Sequence, residues 1–336
     1  MMKATIRDVA KYAGVSVATV SRYLNNSPLI AEASVEKVRQ AIEALDYQPS
    51  MMARGLLHGN SKTIALAVDD SNAETYGNDF FLRIQYGLEH ELACSGYYLM
   101  ICHVGTGDDA VSTVRTLINE NRIDGLVLLS EMAHGKLLAL LRESQIPFVI
   151  AGRSEEEDTL TLWVDIDNIE AGRRATERLL RTGADSVGFL TNSFDKMFVY
   201  ERFQGYCDAL EGAGIRRDPR FIADGLFTPG QISAYIEANK NFLCGAYVAS
   251  DSTIGFYFLR ELYKRGTKVP DQIQVIGFDD SVLAAAADPA MTVVEIDVTK
   301  LGVSAAKILM KQLQAAELRP GQSLLPVGII ERASTK

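Results

Sequence analysis

The sequence predicts an all-α helix-turn-helix head followed by a two-lobed α/β body with parallel sheets. Three observations predict it. Residues 1–60 hold seven Lys/Arg against five Asp/Glu and residues 61–336 hold 27 against 38, so a basic head precedes an acidic body in a chain of net charge −9. The first fifty residues carry three short helical patterns. From residue 62 onward, short β-rich runs alternate with longer amphipathic stretches in two successive series, and such near-continuous apolar strands mark parallel sheets covered on both faces.

The head reads element by element. Thr5-Ile6-Arg7-Asp8 is a helix start, a hydroxyl to cap a free amide and an acid near the positive end of the dipole. Ile6, Val9, Ala10 and Ala13 then fall on one face, and Gly14 stops the helix. Ser16 can cap a second helix that turns Val20 and Leu24 inward and leaves Val17, Ala18, Ser21 and Arg22 outside; Asn25-Asn26-Ser27-Pro28 ends it. A third helix opens near Ser34 and carries Val35, Val38, Ala41, Ile42 and Leu45. The second helix of such a unit can lie in a DNA major groove. Arg22 is then the candidate for direct readout, because a guanidinium can donate two hydrogen bonds to guanine, whereas Val17 and Ala18 can only meet a thymine methyl or leave space. Spacing alone fits a plain bundle with a solvated Arg22 equally well.

In the body, Thr63–Val68, Tyr97–Cys102, Gly125–Leu129 and Pro147–Ala151 are expected strands, with helices near 80–95, 108–120 and 135–144. The series restarts with Leu162–Ile166, Ser186–Leu190, Gly245–Ala249 and Ile273–Phe278, separated by helices near 168–182, 199–213, 229–239 and 251–264. A ligand is expected between the two lobes, near the carboxyl ends of the strands.

Other chemistries find little support. Cys94, Cys102, Cys207 and Cys244 are scattered and show no zinc spacing, which points to a reducing compartment and no metal. The basic amino terminus is followed by no apolar stretch and apolar runs are short, so neither export nor a membrane span is expected. Gly105-Thr-Gly107-Asp-Asp-Ala110 imitates a dinucleotide fingerprint, but it follows the second strand of its lobe and would set two acids against a pyrophosphate. His58, His90, His103 and His134 form no cluster, and there is no nucleophile elbow or Walker loop. No catalytic residue, metal or cofactor is expected, and the chain does not read as an enzyme.

The run Thr5–Asn25 closely resembles the DNA-binding head of the lactose/galactose repressor family. Val38-Arg39, Ala41-Ile42, Leu45–Pro49 and Ala53-Arg54-x-Leu56 match that family's third helix and hinge at the same separations. The likeness continues through Phe80-Phe81 and Gly87, Asp124–Leu126, Val164 with Asp167-Asn168 and Gly172, Glu201-Arg202 with Gly205-Tyr206, Ser250-Asp251, and Ile276–Asp280. It implies a periplasmic-binding-protein type I body used as a small-molecule sensor. The implied domains are a helix-turn-helix domain at 1–48, a hinge at 49–61, and a sensing and dimerisation body at 62–336. Its lobes are placed at about 62–160 with 291–322, and about 161–290 with 323–333.

By resemblance, Val17, Ala18 and Arg22 read bases. Thr5, Ser16, Thr19, Ser21 and Asn25 serve the DNA backbone together with Ala53, Arg54 and Leu56 of the hinge, Leu56 being the residue pushed into the minor groove. A hinge of about two turns, weakened by Gly55, is too short to be stable alone and needs a partner copy and DNA to order it. The same mapping assigns the ligand to Phe81, Arg153, Arg202, Phe227, Ser250 and Asp279: an anchoring guanidinium, an acid to accept hydroxyl protons, a serine hydroxyl and aromatic faces. Gly152 stands where many members carry an acid, Asn72–Asn78 replaces a shorter loop, and Ile296 takes an often polar position, so ligand identity stays open. The implied function is a cytoplasmic, ligand-responsive repressor, nucleoid-associated when bound. It would hold a near-palindromic operator as a homodimer and take a mono- or disaccharide or derivative as effector. The alternative is a cytosolic sugar-binding or carbohydrate-active protein whose head reads no DNA.

Overall fold

The computed structural model describes residues 4–24, 29–47, 60–69, 79–154, 161–315 and 321–336. Contacts divide the chain into a small unit, residues 1–62 with 119–124, and a large one, residues 63–118 with 125–336. In the small unit α1 spans Ile6–Ala13, α2 Val17–Leu24 and α3 Glu32–Ala44. Thr5 closes a capping box: the Asp8 amide donates to Thr5 Oγ1 at 3.4 Å and the Thr5 amide to Asp8 Oδ2 at 2.8 Å, which satisfies two otherwise orphaned donors. Gly14 ends α1 at φ 65°, a left-handed conformation that a residue without Cβ adopts at no steric cost. Val9, Ala10, Ala13, Val20, Val38, Ala41 and Tyr47 make one buried cluster, with Ile6, Leu24, Ile42 and Leu45 packed partly buried against it. α3 starts at Glu32 and not near Ser34; its Ala31 cap makes no side-chain bond and so leaves no mark in the sequence.

The large unit holds two six-stranded sheets. β1 (Thr63–Val68), β2 (Tyr98–His103), β3 (Gly125–Leu129), β4 (Phe148–Ala151), β5 (Trp163–Ile166) and β11 (Gln322–Leu325) form the first, in the order β11-β5-β4-β3-β1-β2, all parallel. β6 (Gly188–Leu190), β7 (Ile222–Ala223), β8 (Ala246–Ala249), β9 (Gln274–Phe278), β10 (Thr292–Glu295) and β12 (Gly328–Ile330) form the second, in the order β12-β10-β9-β8-β6-β7, parallel except for β12. The helices are α4 (Asp79–Cys94), α5 (Gly107–Asn119), α6 (Gly135–Ser144), α7 (Asn168–Leu180), α8 (Met197–Gly212), α9 (Pro229–Ala238), α10 (Ser252–Lys264), α11 (Val282–Ala286) and α12 (Val298–Gln314). No described helix is long and apolar enough to cross a membrane.

Strand pairing moves the lobe boundaries. β5 pairs with β4 and β11, so Leu162–Ile166 closes the first lobe instead of opening the second. β10 pairs with β9, so residues 291–295 stay in the second lobe. The chain therefore crosses near 167, 296 and 326, against the expected 161, 291 and 323. An apolar strand suits either sheet, and only its neighbour decides between them.

Each lobe packs one helix pair backbone to backbone. A Cβ on Gly172 or Gly205 would lie 1.9 Å from a carbonyl oxygen of the facing helix, Arg202 O and Ile169 O respectively, which ties α7 to α8. Gly87 and Gly302 do the same for α4 and α12, at 2.2 and 2.3 Å. Glycine at these four positions is what allows the helices to approach so closely.

Candidate functional site

In the head, Ser16 caps α2: the Thr19 amide donates to Ser16 Oγ at 3.1 Å and the two hydroxyls lie 2.9 Å apart. Val20 anchors the helix in the core, which leaves Val17, Ala18 and Arg22 exposed and Ser21 part-exposed. The set expected to read bases thus shares one solvent-facing side of α2, and Thr5 is exposed at the start of α1. Thr19 is half-buried and its hydroxyl is engaged with Ser16. Asn25, Ala53, Arg54 and Leu56 lie outside the described residues.

In the body, a cleft of about 350 Å³ opens between the lobes. The first lobe lines it with Phe81 of α4, Ser130, Arg153 and Asp165; the second with Asn192, Phe198 and Arg202 of α8, Phe227, Asp251 and Asp279. Five of the six expected ligand residues are therefore brought together: Phe81, Arg153, Arg202, Phe227 and Asp279. Phe227 stands 61% exposed at the rim, while Phe81 is buried. Ser250 needs correction. It is fully buried and does not line the cleft; its Oγ finds no partner, and its contribution is the carbonyl oxygen that holds Arg202. Its place ends β8 just before the Asp251 cap of α10, where the backbone and not the side chain faces the guanidinium.

Arg202 is the centre of the site. Its guanidinium carbon lies 4.4 Å from the Phe278 ring centroid and 4.9 Å from that of Phe198. Nε donates to Asn168 Oδ1 at 3.0 Å and Nη1 to the Ser250 carbonyl at 2.7 Å, while Nη2 donates to no described residue. The ring faces favour a cation and the two bonds fix its plane, so one amino group remains to meet a ligand oxygen. Burial pulls the Arg202 pKa down to about 10, opposed by the charges of Asp251 and Asp165.

Ion pairs span the cleft around it. Arg153 of the first lobe donates through Nη2 to Glu201 of α8, and its Nε, 3.6 Å from Asp165 Oδ2, is buried without a hydrogen bond. Arg83 of α4 donates to Asp279 Oδ1 at 2.7 Å. Asp279 itself follows β9 in the left-handed region, φ 71°, an uncommon conformation for a side chain. Burial lifts the Asp279 carboxyl above its usual range, against the Arg83 charge, and burial likewise lifts Asp251. Asp165 is pushed up to about 6 by burial, with the Glu201 charge adding to it. Sequence reading missed Asp165, Asn192 and Phe198. Phe198 had a signal, four residues before Arg202 on one helix face; Asp165, within β5, and Asn192, two residues past β6, had none.

Residues 5–50 match the lacI family of bacterial regulatory proteins, and residues 176–335 match a periplasmic binding protein-like domain. The HTH-type transcriptional regulator CelR of Thermobifida fusca is 31% identical over 339 residues, covering 98% of this chain and 98% of its own. The HTH-type transcriptional repressor PurR of Vibrio atlanticus (strain LGP32) is 30% identical over 341 residues, 99% of each chain. Among solved structures, a transcriptional regulator CelR–cellobiose complex matches at TM-score 0.74 and 29% identity, over 98% of this chain and 99% of that one. A lac repressor dimer bound to operator and the anti-inducer ONPF shares the fold at TM-score 0.83 and 21% identity, over 99% of each.

Proposed function

This chain belongs to the lacI family of bacterial regulatory proteins and is a ligand-controlled, DNA-binding transcriptional regulator, not an enzyme; from that premise we propose that it is a cytoplasmic repressor, nucleoid-associated when bound, that holds a near-palindromic operator as a homodimer and answers to a mono- or disaccharide in the cleft. The observation that carries the proposal is Arg202, buried between two rings with one amino group unspent, in a cleft whose walls come from both lobes. A polyol held there touches both lobes at once, and its binding energy falls on the angle between them. Aromatic faces with a few fixed polar groups suit a sugar ring, and the CelR relative is known as a cellobiose complex. The proposed base readers are Val17, Ala18 and Arg22; Thr5, Ser16, Thr19, Ser21, Asn25, Ala53, Arg54 and Leu56 are proposed for the backbone and hinge. Coupling is reciprocal: a sugar that weakens operator affinity is itself bound more weakly on the operator, by the same factor.

The test is fluorescence anisotropy on duplexes selected from a random pool, with sugars titrated in. The selected sites should show two half-sites roughly 10 bp apart and an affinity that falls steeply with salt. Arg202→Ala should lose the sugar response by at least about a hundredfold while operator affinity without sugar stays within about threefold. Selection of no duplex over competitor DNA ends the operator proposal, and a full sugar response in Arg202→Ala ends the anchoring role.

A further inference from the structure

We propose that the effector of this cleft carries no anionic group: it is an unphosphorylated sugar without a carboxylate. The inference rests on the sugar reading above and narrows it. Among the described residues, the cationic side chains in and just behind the cleft wall, Arg202 excepted, each already pair with an acid. Arg83 donates to Asp279 at 2.7 Å and has Asp79 at 3.7 Å; Arg153 is held by Glu201 with Asp165 at 3.6 Å; Lys196, at the rim, lies 3.3 Å from Glu131. Arg202 has no ion pair of its own, but the charges of Asp251, Asp165 and Asp279 all act on it.

In this layer Arg83, Arg153, Lys196 and Arg202 are outnumbered by Glu131, Asp165, Glu201, Asp251 and Asp279, before Asp79 is added. A phosphate or carboxylate entering the cleft meets excess negative charge in a poorly solvated space, and it can win a guanidinium only by displacing that group's own acid. A hydroxyl faces no such conflict. Asn192 Oδ1, buried on the cleft wall, has no donor, and Arg202 Nη2 has no acceptor among the described residues. One hydroxyl donating to Asn192 and one oxygen accepting from Arg202 complete both, and a neutral sugar supplies each. About 350 Å³ lies at the small end of the ~300–1,000 Å³ usual for small-molecule sites, which suits one or two rings without a bulky ester.

The test is isothermal titration of the full chain with D-glucose and cellobiose against glucose 6-phosphate, glucuronate and cellobionate. At least one neutral sugar should bind, with its charged counterparts at least a hundredfold weaker. Glu201→Gln leaves Arg153 without its carboxylate partner, and Asp165→Asn removes the neighbouring charge. In each variant that deficit should shrink by at least tenfold, and two variants guard against one failing to fold. A charged probe that binds within tenfold of its neutral counterpart, or binds where the counterpart does not, overturns the proposal. So does a deficit unchanged in both folded variants. Silence from all five probes discards the sugar reading, and this narrowing with it.

Discussion

The head is organised by hydrogen bonds three residues apart, Thr5 with Asp8 and Ser16 with Thr19, and the side chains proposed to read bases, Val17, Ala18 and Arg22, are left in solvent. The cleft is organised by bonds between residues 34 to 196 apart, Arg202 with Asn168 and Arg83 with Asp279 among them, and its charges are largely buried. Recognition and folding are therefore separable in the head: a reading residue can change without touching the cluster around Val20. In the cleft they are the same thing, because a buried charge that loses its partner keeps its desolvation cost.

The largest expected effect breaks the cleft and spares the head. Gly205→Ala forces a Cβ against Ile169 O and drives α8 off α7, which should cost the body at least about 3 kcal/mol in urea unfolding and abolish the sugar response. Amide exchange across α1 to α3 of the head should be unchanged in the same full-length variant; a body of unchanged stability would mean that the helices adjust cheaply.

The second uses pH. Asp165 is raised to about 6 in the folded chain, so between its unfolded value and 6 the native state holds a proton that the unfolded chain has released. Its contribution to stability falls as pH rises through about 4 to 6, by roughly 2–3 kcal/mol. Asp165→Asn should flatten that part of the stability profile and raise stability at pH 7. The head behaves oppositely: Thr5 hydrogen bonds hold Asp8 below its ordinary value, so its contribution is present above about pH 4 and is lost as pH falls further. Stability profiles of parent and variant that run parallel would remove Asp165 from the account.

Two smaller effects sharpen the contrast from the side of the head. Arg22→Ala should relax preference at one base pair per half-site by about 1–3 kcal/mol, read from competition between single-base operator variants, with the melting temperature unchanged. Thr5→Ala should weaken the head by about 1 kcal/mol through loss of the α1 cap, seen as faster amide exchange across Ile6–Ala13 and no change in sugar affinity.

How much of each region could be read beforehand follows from the same difference. The three helices of the head, the Thr5 and Ser16 caps of the first two and the exposure of Val17, Ala18 and Arg22 appear in the sequence because each signal sits within one turn of what it controls. The strands β1 to β6, β8 and β9 and most helices of the body were legible for the same reason. β7 is only two residues long, and β10, β11, β12, α11 and α12 lay beyond the alternating series. Family likeness found Arg202 and Asp279, yet it chose Ser250 by its hydroxyl where the fold uses the carbonyl, and it could not see that Arg153 is committed to Glu201.

What the sequence determined by itself is the three-helix head, the two alternating series of the body and the basic head on an acidic body, since composition and short-range pattern carry all three. What only the tertiary structure decided is where the chain changes lobe and which charges answer one another. Those depend on which strand lies beside which, a choice made by packing among residues from 13 to 196 positions apart, and no local preference encodes it.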